Sequence, residues 1–281
     1  MKVCRSIGEI KSFVRSAKSS GNTIGLVPTM GYFHQGHLSL MRLARQECQI
    51  VVVSLFVNPT QFGPGEDLLA YPKDFERDVD MASREGVDVI FSPEPEEMYP
   101  PGYQTYVEVG EITTPLCGRS RPGHFRGVAT VVNKLFHLVE PDRAYFGQKD
   151  AQQVMVIKQM VRDLNMNVEI VNAPIVREDD GLAMSSRNVY LSTAERKTAT
   201  VLSRSLQGAE HAVNNGETDA LTLRKQITEK IKSESMADID YVEILSIPNL
   251  EPIQVLHGQV LIALAVRFGK TRLIDNTIVE V

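Results

Sequence analysis

TIGLVPTMGYFHQGHLSLMRLARQEC, residues 23–48, reads as a strand, a short loop and a helix. A strand is expected over 23–28 and a helix over 37–48, with Pro28-Thr29-Met30-Gly31-Tyr32-Phe33-His34-Gln35-Gly36-His37 carrying the chain between them. Working outward, apolar runs of strand length recur at 50–57, 87–92, 144–146 and 168–176. Segments of helical period separate them at 74–85, 127–139 and 150–164. Strands alternating with helices are the pattern of crossover units, and crossover units build a parallel sheet. In the segment 74–85, Phe75, Val79 and Ala82 recur at the spacing of one buried face, so Asp74, Arg77 and Asp78 are expected to face away from the sheet.

After residue 176 the rhythm changes. A polar stretch, 177–188, leads into helical segments at 192 to about 214 and at 221–233, followed by two apolar strands at 241–245 and 260–266. The expected fold is therefore α/β, a Rossmann-like parallel sheet with helices on both faces plus a smaller α+β C-terminal domain. The boundary is placed to give domains 1–176 and 177–281. Two connections, 58–72 and 93–122, are rich in Pro and Gly and long for simple loops, which marks them as functional or elaborated.

At 281 residues, 43% of them hydrophobic and 23% charged, the chain can bury a full core without staples. A formal net charge of -5 argues against a nucleic-acid binder, which needs a basic face to neutralise phosphates. Cys4, Cys48 and Cys117 are odd in number and lack metal-type spacing, so they read as structural thiols of a reducing compartment. Charges at Lys2, Arg5, Glu9 and Lys11 interrupt any signal-peptide core, and no apolar run approaches membrane length. A cytoplasmic protein with no membrane segment is expected.

Three groups of residues carry chemistry. His34 and His37 flank Gly36 at the mouth of a helix, where unpaired backbone N–H groups and the positive dipole end attract phosphates. As donors, two imidazoles at that mouth can follow charge developing on phosphate oxygens. Gly31 and Gly36 would let the chain turn tightly there. A metal site or two satisfied polar side chains are the other readings of the pair, although metal-binding pairs on helices commonly stand four apart with a carboxylate nearby.

The second group is Gly147-Gln148-Lys149-Asp150, at the end of a later strand, where open parallel sheets place their ligands. Lys149 suits phosphate oxygens, and Asp150 suits Mg²⁺ bridging them; an ordinary surface pair is the alternative. The third group is the polar run from Asp179 to Asn188, containing Met184, Ser185, Ser186 and Arg187. Ser192 and Glu195 already supply a capping box for the following helix, which leaves the hydroxyls and the guanidinium of this run for a ligand. Its Gly181 suggests a hinge.

Taken together, these residues resemble the pantothenate synthetase (pantoate:β-alanine ligase) family of the nucleotidyltransferase superfamily with the histidine-x-glycine-histidine signature. The resemblance covers Pro28-Thr29-Met30-Gly31 with His34 and His37, Asn58-Pro59-Thr60-Gln61-Phe62, and Arg121-Pro122-Gly123-His124-Phe125 with Gly127-Val128. It continues through Thr130-Val131-Val132, Pro141-Asp142, Gly147 with Lys149-Asp150, Gln152-Gln153, and Asp180 to Asn188. Tyr32-Phe33 stand where the family commonly has small and aliphatic residues, and Gln35 and Gln148 stand where acids are common.

The resemblance implies ATP held by Met30, Gly31, Tyr32, Phe33, His34, Gln35, Gly36 and His37, by Gly147, Gln148, Lys149 and Asp150, by the backbone around Val176, and by Met184, Ser185, Ser186 and Arg187. Pantoate would be held by Gln61 and Gln153, with Val131 and Val132 also at substrate-binding positions. His37, His34, Lys149 and Arg187 would be the catalytic set, with Asp150 on Mg²⁺ that accompanies ATP. The implied reaction is pantoate plus ATP giving an enzyme-bound pantoyl adenylate and pyrophosphate, after which β-alanine displaces AMP in a homodimeric enzyme. Neutral amides at Gln61 and Gln153 fit this chemistry, because an arginine would pair with the attacking carboxylate and blunt it. The competing readings are another adenylyl- or cytidylyltransferase of the same superfamily and a non-catalytic ATP-sensing module.

Overall fold

The computed structural model describes residues 1–281, and the chain divides into two compact units. The first comprises 1–147 and 152–174; the second comprises 148–151 and 175–281. Their strands and helices follow the alternation expected from the sequence, with bounds that differ by a few residues.

The first unit runs β1 (Lys2–Cys4), α1 (Ile7–Ser19), β2 (Ile24–Thr29), α2 (Gln35–Glu47), β3 (Ile50–Leu55), α3 (Phe75–Arg84) and β4 (Val89–Phe91). It continues with two short helices, α4 (Pro95–Met98) and α5 (Cys117–Ser120), then α6 (His124–Val139), β5 (Arg143–Gly147), α7 (Ala151–Asp163) and β6 (Glu169–Ala173). All six strands are parallel, in the order β1-β4-β3-β2-β5-β6. Each central strand is buried on both faces, which explains unbroken apolar runs such as 50–53 at the start of β3. On one face Leu38, Met41 and Ala44 of α2 and Ala82 of α3 pack against Val27, Val51, Val53 and Ile90. On the other, α6 packs against β2 and α1.

Strand order reverses beside β2: the chain travels from β2 to β3 and β4, then crosses back to place β5 on the other side of β2. Such a switch point opens a crevice at the carboxyl ends of the two strands, where open α/β sheets bind their ligands. The segments that leave those ends begin at Met30 and at Gln148.

β1 and α1 are additions to the sequence reading. A three-residue strand carries almost no periodic signal, but α1 was announced by its capping box. The Ser6 side chain accepts from the Glu9 N–H, and Glu9 accepts from the Ser6 and Arg5 N–H groups.

The second unit holds α8 (Thr193–Ala199), α9 (Val201–Asn214), α10 (Ala220–Lys232), β7 (Ala237–Ser246), β8 (Gln259–Phe268) and β9 (Thr271–Glu280). Its three antiparallel strands lie in sequence order, and Leu202, Leu206, Leu223 and Ile227 of the helices cover Val260, Ile262 and Leu264 of β8. The Ser192 and Glu195 capping box starts α8 as expected. The single helix expected from 192 to about 214 is broken at Thr200, whose hydroxyl donates back to the Lys197 carbonyl (2.8 Å). β9 went unassigned because the polar pair Asp275-Asn276 interrupts its apolar alternation. No helix of the structure is long and apolar enough to cross a membrane.

Candidate active site

The loop between β2 and α2 is built on two consecutive left-handed residues, Gly31 (φ 85°) and Tyr32 (φ 52°). A non-glycine residue in this region is strained and needs neighbours that hold it. Those neighbours come from α3. The Asp78 carboxylate accepts the Tyr32 N–H (2.6 Å) and the Phe33 N–H (2.7 Å), while the Arg77 guanidinium donates to the Phe33 carbonyl (2.9 Å). A Cβ at Gly31 would crowd an Asp78 oxygen (3.0 Å) and Leu55 (3.1 Å) in a left-handed conformation that favours glycine.

Asp78 is thus wholly buried, contrary to the expectation that it faces away from the sheet. Its spacing from Phe75 and Ala82 puts it on the inward face of α3, and backbone N–H groups replace the water it gives up. Burial pushes its carboxyl above the usual carboxylate range, and the two N–H groups pull against that shift. Phe33, 1% exposed, anchors the loop in the core with both its N–H and its carbonyl engaged.

His34 is the N-cap of α2. Its Nδ1 accepts the Gly36 N–H (3.1 Å), and the His37 Nδ1 accepts the His34 N–H (3.3 Å). The two rings lie 4.0 Å apart between centroids, tilted by 35°. With both Nδ1 atoms accepting, each neutral ring carries its proton on Nε2 and acts there as a donor. No third His, Cys, Asp or Glu joins them in a group able to hold a metal. Gly36 lies within α2, outside the left-handed positions, so the tight turn belongs to Gly31 and Tyr32. Exposed Gln35 accepts from Arg42 on the helix surface (3.1 Å).

Gln61 closes a short turn, Pro59–Gln61, beside this loop. Asn58 holds the turn: its Oδ1 accepts from Tyr99 (2.8 Å) and from the Thr60 hydroxyl (2.9 Å), and its Nδ2 donates to Gln61 Oε1 and to the Gly127 carbonyl (both 3.1 Å). With Oε1 occupied, the Gln61 amide offers its NH₂ end, which reaches Met30 Sδ at 3.2 Å. Two residues from separate groups in the sequence, Met30 and Gln61, therefore meet at the carboxyl end of β2. The role of Asn58 and Tyr99 in fixing that amide was missing from the sequence reading; the polar Asn58 heading a Pro-Thr-Gln turn was the available signal.

α6 approaches the same turn through Gly127, where a Cβ would fall 2.4 Å from the Thr60 carbonyl oxygen and 2.6 Å from the Gln61 nitrogen. Gly127→Ala is expected to cost about 1–3 kcal/mol by forcing helix and turn apart. An unchanged denaturant midpoint would show instead that the turn yields freely. Val131 and Val132 on α6 are buried, at 7% and 4% exposure. On α7, Gln152 is consumed structurally: its amide accepts from the Cys117 N–H (3.0 Å) and donates to Pro115 (2.8 Å) and Ile112 (3.2 Å). Gln153 beside it is half-buried.

The second unit holds the remaining two groups singled out in the sequence. Gln148–Asp150 is a 3₁₀ turn following Gly147, with half-buried Lys149 and exposed Asp150. Residues 176–184 form a hairpin, closed by the Met184 N–H on the Val176 carbonyl (3.0 Å) and turned at Gly181 (φ 91°). Arg177 pairs with buried Asp275 through both guanidinium nitrogens (2.7 and 3.0 Å), and Arg196 grips Asp180 and Glu178. These pairs tie the hairpin to its own unit. Ser185 also has a structural duty, since its hydroxyl caps the turn Ser186–Tyr190 by accepting from the Arg187 N–H (3.3 Å). Met184 and Arg187 are half-buried and Ser186 is buried.

A parallel sheet with a switch point, an imidazole-capped helix start and a fixed amide at its mouth together define a nucleotide-binding α/β protein. The Pantoate-beta-alanine ligase family model matches residues 2–278, and the chain belongs to that family. A pantothenate synthetase of Acetivibrio thermocellus is 61% identical over 281 residues, covering all of both chains. Among solved structures, pantothenate synthetase from Thermus thermophilus superposes with a TM-score of 0.94 at 45% identity, over 99% of each chain. A pantoate-beta-alanine ligase from Francisella tularensis, complexed with beta-gamma ATP and beta-alanine, gives 0.82 at 35% identity, over 99% of this chain and 97% of that one.

Proposed function

We propose that this chain is a ligase that joins pantoate to β-alanine at the expense of ATP, through an enzyme-bound pantoyl adenylate. The observation that carries this reading is the Gln61 amide, held by Asn58 with its NH₂ end at Met30, beside the imidazole-capped start of α2. In the first step a pantoate carboxylate oxygen attacks the α-phosphorus of ATP, and the bond to the pyrophosphate oxygen breaks. In the second the β-alanine amine attacks the acyl carbon, loses a proton and releases AMP. No protein nucleophile is needed, because both nucleophiles belong to substrates.

ATP is held by Met30 to His37, by Gly147 to Asp150, by the backbone at Val176 and by Met184 to Arg187; pantoate is held by Gln61 and Gln153 against Val131 and Val132. His34 and His37, donating from Nε2, stabilise charge that builds on the phosphate oxygens, and Lys149 and Arg187 add positive charge there. Mg²⁺ enters with ATP as substrate. The donor set suits that arrangement, since Asp150 is an exposed carboxylate beside Lys149. A reducing cytoplasm suits the three buried, unbridged cysteines, and a homodimer is the assembly that the family resemblance implies.

The test is AMP release with each substrate omitted in turn. Release that requires both pantoate and β-alanine supports the reading; release without pantoate, or none with all three substrates, overturns it. Gln61→Ala should raise the KM for pantoate roughly tenfold or more and slow adenylate formation with it, as loss of a fixed hydrogen-bond donor implies. Unchanged pantoate kinetics would remove Gln61 from the site.

A further inference from the structure

β9 carries two adjacent buried polar residues, Asp275 (1% exposed) and Asn276 (4%). Burying such groups is costly unless each finds partners, so the partners show what the pair holds. The Asn276 Nδ2 donates to two successive backbone carbonyls, Gln148 (3.0 Å) and Lys149 (2.9 Å), and its Oδ1 lies 3.5 Å from the Gln148 amide nitrogen. Asp275 takes both Arg177 nitrogens and also accepts the Asn276 N–H (2.8 Å), which fixes the strand at this point. The Gln148–Asp150 turn therefore has its backbone clamped by one side chain more than 120 positions away in the chain.

We propose that Asn276 is a positioning residue for ATP, acting through the backbone of the turn to aim the Lys149 ammonium. The proposal rests on the reading of Lys149 as a phosphate ligand. A lysine has a flexible stem and a compact charge, so where its Cα sits decides whether the charge reaches a phosphate without a large entropic cost. Two hydrogen bonds from one amide to consecutive carbonyls fix that Cα. They leave the side chain itself untouched.

The experiment is a double-mutant cycle in the full-length protein, read as the dissociation constant of a non-hydrolysable ATP analogue by calorimetry. Asn276→Ala is expected to weaken binding by about tenfold, the scale of one or two lost hydrogen bonds. Lys149→Ala should weaken it at least as much. In the Lys149→Ala background, Asn276→Ala should then have almost no further effect, because its route to the nucleotide is gone. Fully additive losses, or an Asn276→Ala variant that binds the analogue like the parent, would overturn the proposal while leaving Lys149 as a ligand. A Lys149→Ala variant with unchanged affinity would overturn both. Should Asn276→Ala fail to fold, Asn276→Ser, which keeps a short donor, reads the same cycle with a smaller loss, and a parent-like affinity for it in both backgrounds counts against the proposal.

Discussion

His37→Ala is expected to slow pyrophosphate release in the adenylate-forming half-reaction by about 10²–10³-fold, the range for removing one preorganised donor from developing charge. The geometry gives the residue two duties. Its Nδ1 accepts the His34 N–H at the start of α2, and its Nε2 is thereby made the donor. Alanine deletes both, so part of the loss would come from a frayed helix start, worth about 1 kcal/mol. His37→Asn separates the two contributions. A short amide can still accept the His34 N–H through its oxygen, so stability should recover while the rate stays low. Rapid-quench measurement of the first half-reaction decides the matter: a normal burst of pyrophosphate from His37→Ala would strip the residue of its role.

Asp78→Asn should destabilise the protein by about 2–4 kcal/mol, a large effect for an isosteric change. The wild-type carboxylate accepts two backbone N–H groups with its two oxygens. An amide can accept only one of them and turns its own NH₂ toward the other, placing donor against donor in a buried site. The left-handed Tyr32 then loses the contact that compensates its strain. The loop that leads into His34 should therefore loosen, and affinity for an ATP analogue should fall along with the urea midpoint. Retained stability with parental affinity would mean that Arg77 and the packing of Phe33 suffice to hold the loop.

Sequence made the architecture legible wherever the physics is periodic. Central strands buried on both faces read as apolar runs, and surface helices read through their spacing, so the parallel sheet and the smaller second unit could both be drawn. The candidate residues at the ends of β2 and β5 were legible for a related reason, because helix starts and strand ends after a crossover have few other uses for His, Lys and Gln. Misreadings came where polarity and position disagree. Asp78 sits at an inward spacing on α3, yet its charge pointed outward, because nothing local reveals that two N–H groups 45 and 46 positions earlier await it. Asp275 and Asn276 hid β9 in the same way. The turn 148–151 groups with the second unit, and the Asn276 amide that donates to its Lys149 carbonyl lies far away in the chain, beyond the reach of a local reading.

The long span between Asp78 and the loop it holds also bears on how the molecule comes to exist. A growing chain that has emerged only as far as α2 contains every residue of the histidine signature but lacks the acceptor for the Tyr32 and Phe33 amides. Within the loop the Gly31 N–H donates to the Thr29 hydroxyl (3.3 Å), but the carboxylate that holds the Tyr32 and Phe33 amides arrives only with the closure of a long segment and the docking of α3. Solvent exchange at those two amide protons would accordingly track the opening of α3 from the sheet more closely than any motion of the loop itself.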